Sequence, residues 1–116
     1  MGSNNESSVC LSERSCEPCQ GGVPPLSQEK IQKFLTYLGK EWFLTEKGYL
    51  SREYQCSNFV EAMEFASKIT QVAEAEGHHP DLGVGWGYCH VTLWTHKING
   101  LTESDFILAK KIEDLT

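Results

Sequence analysis

The sequence predicts an α+β fold in two layers, in which three helices cover one face of a four-stranded antiparallel sheet. Apolar residues recur at helical spacing in three segments, and two pairs of strand-like segments are each joined by a short turn that contains glycine. Their order along the chain is helix-strand-strand-helix-strand-strand-helix. Because short turns join antiparallel strands, the helices would pack on the apolar face of a single sheet.

The first helix is predicted to begin at the N-cap Ser27 and to end at Gly39. Its apolar positions are spaced as one helical face: Ile31, Phe34, Leu35 and Leu38. A strand pair should follow over residues 42–46 and 49–56, with its turn at Lys47-Gly48. In the second strand, polar residues alternate with a set of side chains that share the opposite face, namely Leu50, Arg52, Tyr54 and Cys56.

The second helix is predicted to begin at the N-cap Asn58, with Glu61 in a capping box, and to end at Gly77 in a left-handed cap. One apolar stripe runs along it: Phe59, Ala62, Met63, Ala66, Ile69 and Ala73. Pro80 keeps the preceding residue, His79, out of helical geometry. We therefore expect the His78-His79 pair on a turning, extended backbone.

The second strand pair is predicted over residues 82–86 and 89–95, around a turn at Gly87-Tyr88. The side chains of its last strand divide between two faces, with Val91, Leu93 and Thr95 on one and His90, Thr92, Trp94 and His96 on the other. The uncovered sheet face must be polar or covered by another chain, and Trp94 on that face favours self-association.

The third helix should begin at the N-cap Thr102, with Leu101 packed against Phe106. Its apolar side is formed by Phe106, Ala109, Ile112 and Leu115.

Length, composition and charge indicate one small globular domain. Of its 116 residues, 40% are hydrophobic and 22% are charged, as in an ordinary soluble protein. The net charge of −6 opposes direct binding to a nucleic-acid backbone. No apolar run reaches the length of a membrane span, so we expect a soluble protein without a membrane partner.

Residues 1–23 are predicted to form a flexible N-terminal tail, and residues 24–116 to form the single domain. Five cysteines without a secretory signal favour reduced thiols. Cys16 and Cys19 are closely spaced, but no second ligand pair at zinc spacing accompanies them. We expect a protein of a reducing compartment, either cytoplasmic or the mature organellar form left after a transit peptide is removed.

Three histidines are the candidate catalytic residues. His78 and His79 follow the second helix, and His96 lies at the end of the last strand. An unperturbed imidazole exchanges its proton near neutral pH, and adjacent side chains on an extended backbone point in different directions. This arrangement suits two distinct proton-transfer roles better than chelation of one ion, although each histidine alone is also compatible with an ordinary hydrogen-bonded residue. A zinc site formed by the three histidines is the alternative, without a helical histidine pair or a carboxylate ligand at the usual spacing.

Two carboxylates and two tryptophans lie near these histidines in the sequence. Glu74 precedes His78 by one helical turn, where it is either a solvated helix residue or the group that holds the tautomer of the imidazole. Asp105 occupies the third position after Thr102, where an acidic residue also satisfies the amides of the helix N-terminus. Trp42 and Trp86 are predicted to be core or pocket-wall residues.

These residues resemble the pterin-4a-carbinolamine dehydratases. The resemblance covers residues 24–116 and rests on several spacings at once: Glu74, His78-His79-Pro80, Trp86, Thr95-His96, Gly100-Leu101-Thr102-Glu103 and Asp105, with a weaker match at Trp42. Such proteins dehydrate 4a-hydroxytetrahydropterins, the product left by aromatic amino acid hydroxylases, to quinonoid dihydropterins. The resemblance implies that no metal or organic cofactor is needed and that the chain forms a homodimer or homotetramer.

The resemblance also implies roles for individual residues. Histidines that match His78, His79 and His96 line the pterin site of the family, and those that match His78 and His96 are the proposed acid and base, in an order that the sequence leaves open. Carboxylates that match Glu74 and Asp105 lie nearby, and Trp86 and Thr95 are expected to support the site. Some animal members also act as dimerisation cofactors for a homeodomain transcription factor. A protein-binding module with secondary dehydratase activity is therefore the alternative function.

This chain differs from the animal members of that family at two positions near the expected site. It carries Leu82 where they tend to carry tryptophan, and Trp94 where they carry a small residue beside the catalytic Thr-His pair.

Overall fold

The computed structural model describes residues 24–116, which form three helices and one four-stranded antiparallel sheet. The helices are α1 (Gln28–Leu35), α2 (Phe59–Glu76) and α3 (Glu103–Glu113). The strands are β1 (Phe43–Leu44), β2 (Leu50–Gln55), β3 (Asp81–Gly85) and β4 (Tyr88–Leu93). The predicted fold class and order of elements are confirmed. The predicted tail and the Cys16–Cys19 pair lie outside the described residues.

The sheet consists of two hairpins that meet at its centre, in the strand order β1-β2-β4-β3. In the central pair, Leu50 lies opposite Leu93 and Tyr54 lies opposite Cys89. Directly opposed residues point to the same face of a sheet, and all four of these side chains are buried. The other face carries polar side chains, including His90 and Thr92, as the alternation of the sequence predicts.

The hydrophobic core lies against the buried face of the sheet and receives side chains from all three helices. Its fully buried members from the sheet and the two longer helices include Leu50, Ile69, Val91, Leu93, Phe106, Ile107, Leu108 and Ile112. Helix α1 adds Ile31 and stacks the Phe34 ring on Phe106, with 5.4 Å between the ring centroids. Helix α3 is buried on more sides than its apolar spacing predicts, because it contacts α2 as well as α1.

The predicted caps at Ser27, Asn58 and Gly77 are present. Ser27 Oγ accepts a hydrogen bond from Lys30 N at 3.2 Å, and Asn58 Oδ1 accepts one from Glu61 N at 2.9 Å. Gly77 ends α2 with a φ of 65°, a left-handed conformation that glycine adopts without steric cost because it lacks Cβ. The two ends of α2 are therefore set by local chemistry.

Some boundaries differ from the prediction. Helix α1 ends at Leu35 rather than Gly39, and the chain continues through residues 36–38 in tighter turns that join each amide to the carbonyl three residues earlier. The second hairpin turns at Trp86-Gly87, one residue earlier than predicted, because Gly87 takes the positive φ that the turn needs.

The exposed side of α2 is more apolar than predicted. Phe59 and Met63 are 48% and 46% exposed and lie outside the buried stripe of Ala62, Ala66, Ile69 and Ala73. The small alanines of that stripe allow α2 to approach the sheet closely, which leaves the larger apolar residues at its first turns on the surface. Within residues 24–116, no helix combines the length and apolarity needed to cross a membrane.

Candidate active site

The end of α2 places His78 inside the protein. Gly77 N donates to Glu74 O, and His78 N donates to Ala73 O, both at 3.2 Å, so the left-handed turn closes the helix. The His78 side chain is only 3% exposed, and its Nε2 lies 2.6 Å from Asp105 Oδ1. The imidazole is thereby held by a group from the beginning of α3.

Asp105 is a buried carboxylate whose two oxygens both have partners. Its Oδ2 accepts hydrogen bonds from Thr95 Oγ1 and from Thr102 N, both at 2.9 Å, while Oδ1 contacts His78. Thr95 Oγ1 also lies 2.8 Å from Thr102 Oγ1. A carboxylate can be removed from water only when such contacts replace its hydration. Asp105 therefore caps α3 and binds the imidazole of His78 at the same time.

His79 points away from the interior, in contrast to its neighbour. Its side chain is 59% exposed, and its Nε2 lies 2.6 Å from Glu74 Oε2. We expected Glu74 to support His78, but the structure pairs it with His79, because adjacent side chains of an extended backbone leave on opposite sides. Since both partners are exposed, water screens this contact and it adds little to stability.

His96 lies beyond the end of β4, next to a short bridge between Thr95 and Gly100. Its ring packs on the indole of Trp94, with 4.4 Å between centroids and an angle of 36°. Trp94 in turn stacks on Tyr49, with 4.5 Å between centroids and an angle of 5°. An aromatic stack rather than a carboxylate thus contacts the third imidazole.

The three histidines line a single cavity of about 190 Å³. Its walls are formed by Gly77, His78, His79, Trp94, His96 and Lys97. Pockets for drug-sized ligands measure roughly 300–1,000 Å³, so this cavity suits a compact ligand. The structure therefore brings together side chains from the end of α2 and from the segment after β4.

The remaining residues predicted for the site lie outside the lining of this cavity. Asp105 and Thr95 lie in the interior, where Asp105 contacts His78 and Thr95 contacts Asp105, whereas Glu74 contacts His79 at the surface. Trp86 is 74% exposed at the turn between β3 and β4 and is not one of the lining residues. Trp42 is buried in the core.

Three lining residues were not assigned to the site from the sequence. Trp94 was predicted as a contact for self-association and noted as a difference from the animal members beside the Thr-His pair, Gly77 was predicted only as the helix cap, and Lys97 was given no role. A signal for Trp94 is present in the sequence, since residues two apart in an extended segment share a face and Trp94 is two residues from His96. No comparable pattern marks Lys97.

The chemistry that this arrangement offers is proton transfer by imidazoles in a partly enclosed cavity. Within residues 24–116, no cluster of three or more His, Cys, Asp or Glu side chains has the geometry to hold a metal ion.

Comparison with known proteins yields both a family and close relatives. A family model described as pterin 4 alpha carbinolamine dehydratase matches residues 24–115. A protein of Rickettsia canadensis (strain McKiel) that is named a pterin-4-alpha-carbinolamine dehydratase is 57% identical over 103 residues, which cover 89% of this chain and 94% of that protein. One of Methylococcus capsulatus with the same name is 50% identical over 106 residues, which cover 90% and 92%.

A solved structure has a similar fold. The crystal structure of a transcriptional coactivator/pterin dehydratase from Brucella melitensis superposes with a TM-score of 0.74 at 27% sequence identity. The match covers 79% of this chain and 98% of that chain.

Proposed function

Because this chain belongs to the pterin-4-alpha-carbinolamine dehydratase family, whose members are named as dehydratases, we propose that it acts as a hydro-lyase that converts a 4a-hydroxytetrahydropterin to the quinonoid dihydropterin and water. The observation that carries the proposal is the cavity lined by His78, His79 and His96. In this role the protein would serve tetrahydrobiopterin recycling, by converting the 4a-hydroxytetrahydropterin left by an aromatic amino acid hydroxylase to the quinonoid dihydropterin without any change of oxidation level.

The reaction requires one proton donor and one proton acceptor. Loss of water breaks the bond between C4a and its hydroxyl oxygen, removes the proton from N5 and forms the double bond between C4a and N5. The donor protonates the departing hydroxyl, and the acceptor takes the N5 proton, so no oxidant or reductant is consumed. Each well-positioned acid or base contributes about 10²–10⁴-fold to the rate.

The surroundings of the three histidines suit different roles. His78 is buried, and its contact with Asp105 fixes the orientation of the ring. His96 comes from the segment after β4, lines the same cavity and packs against Trp94. We assign the acid and base roles to His78 and His96, in either order, and we assign binding and polarisation of the 4a-hydroxyl to the exposed His79.

Replacing His96 with alanine should lower kcat/KM for dehydration about 10²–10⁴-fold, because the substitution removes the acid or the base. The measurement is the rate at which a synthetic 4a-hydroxytetrahydropterin disappears above its rate without enzyme. Because His96 is exposed, H96A should keep the thermal unfolding midpoint of the wild-type protein.

The matched control is His90→Gln. His90 lies on the polar sheet face, where its Nε2 is 2.8 Å from Ser51 Oγ, and it does not line the cavity. H90Q should therefore dehydrate the substrate at the wild-type rate. Wild-type turnover by H96A would remove His96 from the mechanism.

A second candidate function is a protein-binding dimerisation module that acts as a transcriptional cofactor, with dehydration secondary. The Brucella protein is named a transcriptional coactivator as well as a pterin dehydratase, and the sheet face opposite the core exposes Phe43 and Tyr88. Either function is compatible with a homodimer or homotetramer. Pterin binding without accelerated dehydration in the same assay would favour the module.

A further inference from the structure

The three histidines of the cavity are held in two different ways. Nε2 of His78 and Nε2 of His79 each lie 2.6 Å from a carboxylate oxygen, of Asp105 and Glu74 respectively. Across residues 24–116, the His96 side chain has no hydrogen bond or ion pair of this kind, and its ring contacts Trp94 instead. This difference needs a physical reason, since an exposed imidazole without a partner would be distributed among several rotamers.

The register of the sheet builds the aromatic stack beside His96. Leu50 of β2 lies opposite Leu93 of β4, so the residues next to them, Tyr49 and Trp94, are brought side by side at the end of the central strand pair. Their rings are parallel within 5°, and both neighbouring leucines are fully buried. The indole is therefore fixed to a rigid part of the molecule.

We propose that Trp94, backed by Tyr49, is the positioning residue for His96. The imidazole packs against the indole at an angle of 36° between the two rings, and this ring contact does not involve a hydrogen bond to either nitrogen at the edge of the imidazole. The indole can thus orient the ring without occupying either nitrogen, which a hydrogen-bonded carboxylate would do. His96 keeps both nitrogens available to the substrate, and the aromatic face accommodates the imidazole in both of its protonation states. This inference rests on the proposed function, because it explains how His96, one of the two proton-transfer groups of that function, is oriented.

Trp94 also lines the cavity, so a competing explanation is that it stacks directly on the pterin. The two explanations differ in what happens when His96 is absent. A residue that acts through His96 has nothing left to position in an H96A protein, whereas a residue that binds substrate still contributes there.

The test is a double-mutant cycle that compares the wild-type protein, W94L, H96A and W94L/H96A in the dehydration assay. W94L should lower kcat about tenfold, with KM changed less than about twofold, and should have no further effect in the H96A background. W94F retains an aromatic face and should recover most of the lost activity, while Tyr49→Leu should cause a smaller loss of the same kind. Equal losses from W94L in both backgrounds would overturn the proposal.

A readout independent of activity distinguishes failure of this inference from failure of the proposed function. Three-bond NMR couplings about χ1 of His96 report whether the side chain occupies one rotamer or several. We expect one rotamer in the wild-type protein and averaged couplings in W94L, with both proteins folded by circular dichroism. Averaged couplings in the wild-type protein would refute the positioning role. A wild-type protein that shows one rotamer but no dehydration would refute the proposed function and leave the positioning role supported.

Discussion

At the scale of single residues, the candidate site depends on a carboxylate that water cannot reach. Asp105 is fully buried, and its contacts with His78, Thr95 and Thr102 replace its hydration. One side chain therefore stabilises the beginning of α3 and orients an imidazole of the cavity. A change at this position should affect stability and catalysis together.

Asp105→Asn should lower the free energy of unfolding by about 2–4 kcal/mol, because an amide nitrogen cannot accept the hydrogen bonds that a carboxylate oxygen accepts. The same substitution should lower kcat for dehydration, since His78 loses its charged partner. Urea denaturation and the dehydration assay measure the two effects. The control Asp81→Asn changes an exposed carboxylate at the start of β3 and should alter stability by less than about 0.5 kcal/mol. Equal stability of D105N and the wild-type protein would contradict this account.

At the scale of elements, the end of α2 determines where two adjacent histidines point. Gly77 takes the left-handed conformation, and the following amide, His78 N, returns to the carbonyl of Ala73. The chain leaves the helix with one imidazole inside the protein and the next one in solvent. A single glycine thus links the termination of a helix to the geometry of the cavity.

Gly77→Ala should lower the free energy of unfolding by about 1–2 kcal/mol, because left-handed backbone is unfavourable for a residue with Cβ. A Cβ at this position would meet no atom within 4 Å, so the cost is conformational rather than steric. Gly83→Ala is the control, since that backbone is not left-handed and its Cβ would lie 3.7 Å from His90 Cβ, an ordinary contact. If denaturation gives the same free energy of unfolding for the two alanine variants, the left-handed cap does not have this role.

At the scale of the whole molecule, Glu113 joins segments that are distant in the chain. Near the end of α3, its Oε1 accepts hydrogen bonds from Gly39 N at 2.9 Å and from Trp42 Nε1 at 3.1 Å, and it lies 3.9 Å from Arg52 Nη1. The Arg52 guanidinium also lies over the ring of Tyr54, 4.1 Å from its centroid. These contacts connect α3 to the loop before β1 and to β2.

Burial of two ionisable side chains, Tyr54 and Cys89, makes the stability of the protein fall at alkaline pH. Burial raises the pKa of Tyr54 to about 12, partly offset by Arg52, and raises the pKa of Cys89 to about 11. Their ordinary values are 10.0 and 9.0. The folded protein therefore holds both protons more tightly than the unfolded chain does. This contribution is complete below about pH 9 and is lost as the pH rises toward 12.

Tyr54→Phe should remove the part of the alkaline loss of stability that comes from ionisation of Tyr54. The Tyr54 hydroxyl is buried and has no hydrogen-bond partner in the described chain, so its loss should leave stability at neutral pH unchanged or slightly higher. Above pH 10 the stability of Y54F relative to the wild-type protein should increase, because only the wild-type unfolded chain gains by ionising Tyr54. Urea denaturation at increasing pH measures the difference, and parallel curves for the two proteins would show the idea to be wrong.

The sequence by itself determined the features that depend on neighbours within a few residues. Helix caps such as Asn58 and Gly77 follow from hydrogen bonds and backbone freedom that are local to them. The alternation along β4 likewise separated the buried Val91 and Leu93 from the face that carries Trp94. These short-range rules were enough for the order of elements and for the candidate histidines.

Only the tertiary structure decided which groups meet. Asp105 rather than Glu74 holds His78, across 27 positions of sequence, because α3 begins beside the end of α2. Packing also left Trp86 exposed and placed Trp94 against His96. Such contacts depend on how whole helices and strands lie against each other, and that arrangement reflects the burial of the entire core rather than any local spacing.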